Sequence, residues 1–240
     1  MNLTIASYQG NAFYNKTDNV LNIMREEIAW AEENRIDILL FPECFLQGYI
    51  LDKSAAREAS IELNSKKFRD ILKNIYSSTT VIFGLIEKDK KHLYNTAVIV
   101  EKGALRGKYR KQFLLEKEKI FSKGDRSPVF EKKGIKYGVN ICADTRYSES
   151  ALEMKKKGAR ILFFLLNNSL PIKTADKWKN VHKKYWIQRA KETSCWILTA
   201  DVVEKTTKKI GYGFTTLISP AGRVVKSLSH LKPGRLTKKI

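Results

Sequence analysis

The chain has 240 residues, 43% of them apolar and 29% charged, which fits one soluble domain with a sizeable core. No run of 18 apolar residues occurs, and the N-terminus shows neither a basic n-region nor a small-residue cleavage site, so no membrane span or signal peptide is expected and a cytoplasmic protein is. The net charge of +20 admits attraction to nucleic acid, but the lysines are spread along the chain and not interleaved with aromatics at base-stacking spacing; they are read as a solvated surface.

Short apolar, β-branched runs alternate with helix-like stretches. Residues 3–8 read as a first strand. Residues 18–34 read as a helix, with Val20, Leu21, Met24, Ile28 and Ala31 at helical spacing. Residues 36–41 form a near-continuous apolar run that stops at Pro42, as a buried strand would. A second helix is expected within 54–76, then strands at 80–86 and 96–100. A strand over 137–143 leads into a helix at 148–157. A strand at 160–166 runs into Asn167-Asn168-Ser169. A helix over 176–193, a strand at 195–201 and two strands around Ser219-Pro220-Ala221-Gly222 follow. The last ten residues, rich in basic side chains, are expected to form a mobile tail on a single 1–240 domain. A four-layer αββα sandwich fits this order, and so does a three-layer α/β fold; periodicity does not separate them.

In layered α/β folds, functional groups collect past the carboxyl ends of strands. Two such ends carry Pro42-Glu43-Cys44 and Cys142-Ala143-Asp144; between them lies Gly107-Lys108-Tyr109-Arg110-Lys111. A cysteine on a sharp strand-to-helix turn exposes its sulfur and sets the next amide, that of Ala143, near any oxyanion that forms. Read alone, Cys142 is more simply a small buried hydrophobe, Glu43 a loop carboxylate and Lys111 one lysine among many. Together they supply a nucleophile, a base and a cation. Cys44, Cys142 and Cys195 are too few and too odd in number for a disulfide framework. No CxxC or HxxxH spacing suggests zinc, and Gly211-Tyr212-Gly213 lacks the third glycine of a dinucleotide site. No metal and no cofactor are expected.

The stretches Leu40-Phe41-Pro42-Glu43, Tyr109-Arg110-Lys111 and Ile141-Cys142-Ala143-Asp144-Thr145-Arg146-Tyr147-Ser148-Glu149 resemble, in order, three motifs of the nitrilase superfamily. Phe121-Ser122-Lys123-Gly124-Asp125, Arg189-Ala190-Lys191-Glu192 and Ser219-Pro220-Ala221-Gly222 resemble further family segments, so the likeness covers most of the chain. The resemblance implies the αββα sandwich and a carbon–nitrogen hydrolase. In it Glu43 is the general base, Lys111 the oxyanion-stabilising cation and Cys142 the nucleophile, converging on one site with Glu43 and Lys111 on opposite sides of the sulfur. It also implies a second glutamate before Phe121. Glu118 is the choice, one residue out of the usual register, with Glu116 as the fallback. Tyr49, Ala143 and Asn168 are candidates for lining the substrate site. Ala143 and Ser148 depart from the family's usual aromatic and proline, which bears on substrate more than on reaction.

The implied substrate is a small linear amide or N-carbamoyl compound rather than a nitrile, and the implied assembly is a homodimer or larger. The alternatives are an acyl- or amidotransferase on the same scaffold, and a catalytically silent protein that binds nucleic acid or a protein partner.

Overall fold

Alternation along the first strand, Thr4–Asn11, organises the molecule. Leu3 and Ile5 face one apolar core, while Ala6 and Tyr8 face a second. Ser7 lies on the side of Ile5 and donates its hydroxyl to the carbonyl of Thr199 in another sheet, at 2.6 Å. One strand therefore has a sheet on one side and helices on the other.

The computed structural model describes residues 2–179 and 181–240. Among these, the strands form two mixed sheets. In the larger, Thr4–Asn11, Ile38–Leu40 and Thr80–Asp89 are parallel neighbours, with Ile5 opposite Ile38 and Ile38 opposite Thr80. His92–Glu101 and Ala104–Arg110 extend that edge by antiparallel pairing. In the smaller, Ile135–Ile141, Ile161–Leu165 and Trp196–Ala200 are parallel, in register at Tyr137, Ile161 and Trp196. Helices Thr17–Glu33 and Lys66–Asn74 cover the outer face of the larger sheet through Val20, Met24, Ile28, Phe68 and Ile71. Helices Glu149–Lys156 and His182–Thr193 cover the smaller through Met154, Trp186 and Ala190. This is the four-layer αββα sandwich. Among the described residues no helix is long and apolar enough to cross a membrane.

Several boundaries differ from expectation. The helix sought within 54–76 is two helices, Lys53–Ala59 and Lys66–Asn74, because two residues cap separately. Asp52 accepts from the amide of Ala55 and Ser65 from that of Phe68. The helix expected over 176–193 is likewise divided into Ile172–Trp178 and His182–Thr193; residue 180 lies outside the described residues. The strand expected to reach 143 ends at Ile141, where the chain turns. The basic C-terminus is not a mobile tail. Gly234–Lys239 pairs antiparallel with Thr4–Asn11 from Gln9–Gly234 to Thr4–Lys239. Its charges mask a strand alternation: Leu236 is in the core, Arg235 pairs with Glu27 at 2.6 Å, and Lys238 lies over the ring of Trp196.

Candidate active site

The parallel strands bring their carboxyl ends to one place. Ile38–Leu40 ends into Phe41, Pro42 and Glu43, and the amide of Glu43 reaches across to the carbonyl of Leu166, just past Ile161–Leu165, at 3.2 Å. The Glu43 turn also lies directly on the neighbouring strand. A Cβ on Gly84 would stand 2.3 Å from the Cys44 nitrogen, so only glycine permits this approach.

Lys111 follows Ala104–Arg110, where period-two alternation sorts the cations. Tyr109 and Lys111 turn inward and are buried; Lys108 and Arg110 turn outward to share Glu87. The Lys111 ammonium donates to Glu43 Oε1 at 2.8 Å and to Glu118 Oε1 at 2.7 Å. Glu43 and Lys111 are therefore in direct contact, not on opposite sides of the sulfur. Asn95 Nδ2 donates to Glu43 Oε1 at 2.7 Å, and Glu43 Oε2 is buried with no hydrogen-bond partner among the described residues. Glu118 also accepts from the hydroxyl of Tyr49 at 2.8 Å and, through Oε2, from the amide of Leu115 at 2.6 Å. Glu116, the fallback, has a side chain 90% exposed and pairs with Lys119.

Cys142 opens a tight 3-10 turn, Cys142–Arg146, with φ at +43°. A non-glycine residue in this region costs about 1–3 kcal/mol, strain found where a side chain must be presented sharply. Asp144 holds the turn. Its Oδ2 accepts from the amide of Ile141 at 3.0 Å and the hydroxyl of Tyr109 at 2.8 Å; its Oδ1 accepts from the amides of Gln112 and Phe113 at 3.1 and 2.8 Å. One buried carboxylate thus fastens the end of the lysine strand to the cysteine turn. Asn140 continues the network by donating to Tyr109 and Ser150. Ala143, next to the thiol, is buried.

The electrostatics follow from burial and pairing. Burial pushes the Glu43 carboxyl up, against the pull of Lys111. Burial alone would lower the Lys111 ammonium, but Glu43, Cys142 and Glu118 outweigh it and hold Lys111 charged. The Cys142 thiol is pushed up by burial first and by Glu43 next, with Lys111 opposing. A thiol held up in this way needs a proton acceptor when its sulfur attacks. Burial raises Asp144 to about 6, although four donors converge on it.

Asn168 is placed differently from the other candidates. Its amide and side chain both donate to Asp201, at 3.0 and 2.9 Å, in a separate cluster with the amides of Val202 and Phe214. Reading the residues one by one passes over Asn95 and gives Asp144 no role. Asn95 had a signal, a polar residue inside the apolar run of His92–Glu101. Asp144 stands two residues from the cysteine, but apart from Ile141 its partners come from residues 109–113, which spacing does not reveal.

The model of the carbon–nitrogen hydrolase family matches residues 4–240. The chain belongs to that family, the nitrilase superfamily. A probable nitrilase of Schizosaccharomyces pombe is 33% identical over 205 residues, covering 82% of this chain and 73% of the relative. An (R)-stereoselective amidase of Pseudomonas sp. is 26% identical, covering 79% and 68%. Among solved structures, a variant of the Nesterenkonia sp. AN1 amidase superposes with a TM-score of 0.83 at 20% identity, over 99% of this chain and 90% of its own; that structure shows the acetamide moiety of fluoroacetamide covalently added at the active site cysteine. Glutamine-dependent NAD+ synthetase of Acinetobacter baumannii gives a TM-score of 0.86 at 19% identity, and this chain spans 45% of its length. These two superpositions speak to the fold. The chain is an enzyme of the carbon–nitrogen hydrolase family. Among the described residues no group of three or more His, Cys, Asp or Glu side chains is arranged to hold a metal ion.

Proposed function

We propose that this hydrolase is a thiol amidohydrolase, cleaving a small linear amide or N-carbamoyl compound through a covalent Cys142 acyl-enzyme. The observation that carries the reading is the unpartnered Glu43 Oε2: a buried carboxylate oxygen whose twin is held by Lys111 and Asn95, and whose charge acts on the Cys142 thiol.

The steps follow from that placement. Glu43 accepts the Cys142 proton as the sulfur attacks the carbonyl carbon. The oxyanion that develops is met by the Lys111 ammonium and by the N–H of Ala143, whose place at the start of the turn leaves it no backbone acceptor within the turn. The tetrahedral intermediate collapses, the C–N bond breaks, and protonated Glu43 returns its proton to the departing ammonia or amine. Water, deprotonated by Glu43, then cleaves the thioester and releases the acid. Glu118 and Tyr49 keep the ammonium in line, since Lys111 without Glu118 would be free to fold onto Glu43 alone.

The amidases among the relatives support trying amides beside the nitriles that the probable nitrilase at 33% identity suggests. The test is intact-protein mass spectrometry after incubation with a panel of amides, carbamoyl compounds and nitriles. An adduct on the Cys142 peptide from an amide or carbamoyl compound is expected. Adducts from nitriles alone, or on another residue, would overturn the reading. Added hydroxylamine separates hydrolysis from acyl transfer: a dominant hydroxamate would assign a transferase.

A further inference from the structure

A depression of about 390 Å³ lies behind the segment that carries Glu118. It is formed where helix Lys53–Ala59, the hairpin leading into His92–Glu101, and the residues after Glu118 meet. Lys53, Arg57, Lys91 and Lys119 line it with His92 and Ser122, over Leu93 and Ile120. Lys and Arg make up 45 of the chain's 240 residues, under one in five, yet they are four of these eight.

Its charge is offset only in part. Glu116 pairs with Lys119 at 3.4 Å, but among the described residues Lys53, Arg57 and Lys91 form no ion pair: Asp52 caps its helix on the Ala55 amide and Asp89 pairs with Arg110 at 2.7 Å. A second basic depression, at Lys108, Arg110 and Arg126, differs in this respect, since Asp125 lines it and Glu87 neutralises two of its cations. Like charges gathered with too few counter-charges repel, and a dianion relieves this. Lysines and a hydroxyl suit a phosphate group as point charges around a compact oxyanion.

The depression is also mechanically joined to the active site. Arg57 donates to the carbonyl of Lys91 at 3.1 Å, fixing the helix to the hairpin. The amide of Ser122 donates to the carbonyl of Leu93 at 2.7 Å, and that of Phe121 to the carbonyl of Glu118 at 2.9 Å. Phe121 packs in one cluster with Leu93, Ala56, Ile50 and Tyr49, the residue bonded to Glu118.

We propose that this depression is a binding site for the phosphate group of a small molecule or for free phosphate, and that its occupation clamps the Glu118 segment. Binding is independent of the proposed reaction; only its effect on turnover rests on that reading. The experiment titrates the full chain with inorganic phosphate, a small phosphomonoester (glycerol phosphate) and a short DNA duplex, in chloride buffer at constant ionic strength, by calorimetry. Hydrogen exchange of residues 115–122 is followed in parallel. Saturable phosphate or phosphomonoester binding is expected, with at least tenfold slower exchange of those amides. The arm that binds more tightly names the source. The double variant Lys53→Glu/Lys91→Glu should weaken binding at least tenfold while the melting temperature holds. Lys205→Glu/Lys208→Glu, an equal change of charge at two exposed lysines of the hairpin that leads into Lys209–Tyr212, should leave it intact. Equal weakening by both variants, binding of the duplex alone, or binding without protection of 115–122 would overturn the proposal.

Discussion

Two ion clusters grow from one strand, and they differ in what they do with a proton. On the outward side of Ala104–Arg110, Lys108 and Arg110 share one carboxylate, Glu87. On the inward side, Lys111 is shared by two carboxylates, Glu43 and Glu118. In the first, burial would raise Glu87, but hydrogen bonds from Arg110, Lys108 and Thr96 outweigh it and hold the carboxyl below its ordinary range. In the second, burial raises Glu43 and a single ammonium cannot cancel it. Two cations on one acid fix a charge; one cation on two buried acids, with an oxygen left unpartnered, leaves a proton to be passed. The first pattern suits holding a sheet together and the second suits general base work.

Removing the shared cation is the hardest test of this contrast. Lys111→Met leaves Glu43 and Glu118 buried together without their common partner, and breaking a buried pair in this way costs about 3–5 kcal/mol. Turnover should vanish, and the chemical-denaturation midpoint should fall. A variant with near-wild-type turnover would remove Lys111 from the site. Cys142→Ala is the companion control: it should also abolish turnover, but with the fold and melting temperature nearly unchanged, because it removes only one sulfur.

Glu43→Gln addresses the proton itself. The amide keeps the shape but cannot accept the thiol proton, and loss of a general base costs about 10²–10⁴ in rate. In the wild type the base must be ionised to act, so kcat/KM falls as pH drops through the Glu43 pKa. Because that value is raised, the acid limb should lie above the ordinary glutamate value of about 4.3. A limb at or below that value, or one that persists unchanged in Glu43→Gln, would assign it to another group.

Asp144→Asn sits between the two clusters in expected effect. An amide nitrogen at Oδ2 cannot accept from both Ile141 N and the Tyr109 hydroxyl, and each buried donor left unpaired costs about 1–3 kcal/mol. The turn carrying Cys142 and the strand end carrying Lys111 then lose their tie. Turnover should fall by about 10²-fold, the scale of a small misplacement of reacting groups. A large drop in kcat with KM held marks positioning; a loss of stability with kcat unchanged would make Asp144 merely structural.

The meeting of Glu43 with Lys111 was legible because their motifs stand in a fixed chain order, and because a strand-end carboxylate is unusual on an apolar run. The residues that orient them were not, since Asn95 reaches Glu43 across 52 residues and Asp144 reaches the lysine strand's end across 31 to 35. Helix boundaries failed where caps decided them, at Asp52 and Ser65. The C-terminal strand failed because four basic or polar side chains, Arg235, Thr237, Lys238 and Lys239, surround Leu236 and hide a period of two that only the pairing with Thr4–Asn11 exposes.

The smallest effect on catalysis, and the one that closes the contrast, belongs to Glu87→Gln. Glu87 accepts from Lys108, Arg110 and Thr96 but is bonded to no residue of the Glu43 cluster. Turnover should stay within about twofold of wild type, since the reacting charges are untouched. Stability should fall instead, and in a pH-dependent way. A carboxyl held low in the folded state contributes stability above its unfolded pKa and loses it as pH drops through the folded value. The melting temperatures of wild type and variant should therefore be furthest apart near neutral pH and converge as the pH falls below about 4, where the unfolded-state glutamate titrates. Melting curves from pH 3 to 8 check this. A gap that stays constant across the range would mean that Glu87 acts through shape and packing alone, and a large loss of turnover would mean that the outward cluster also sets the position of Lys111 through the strand they share.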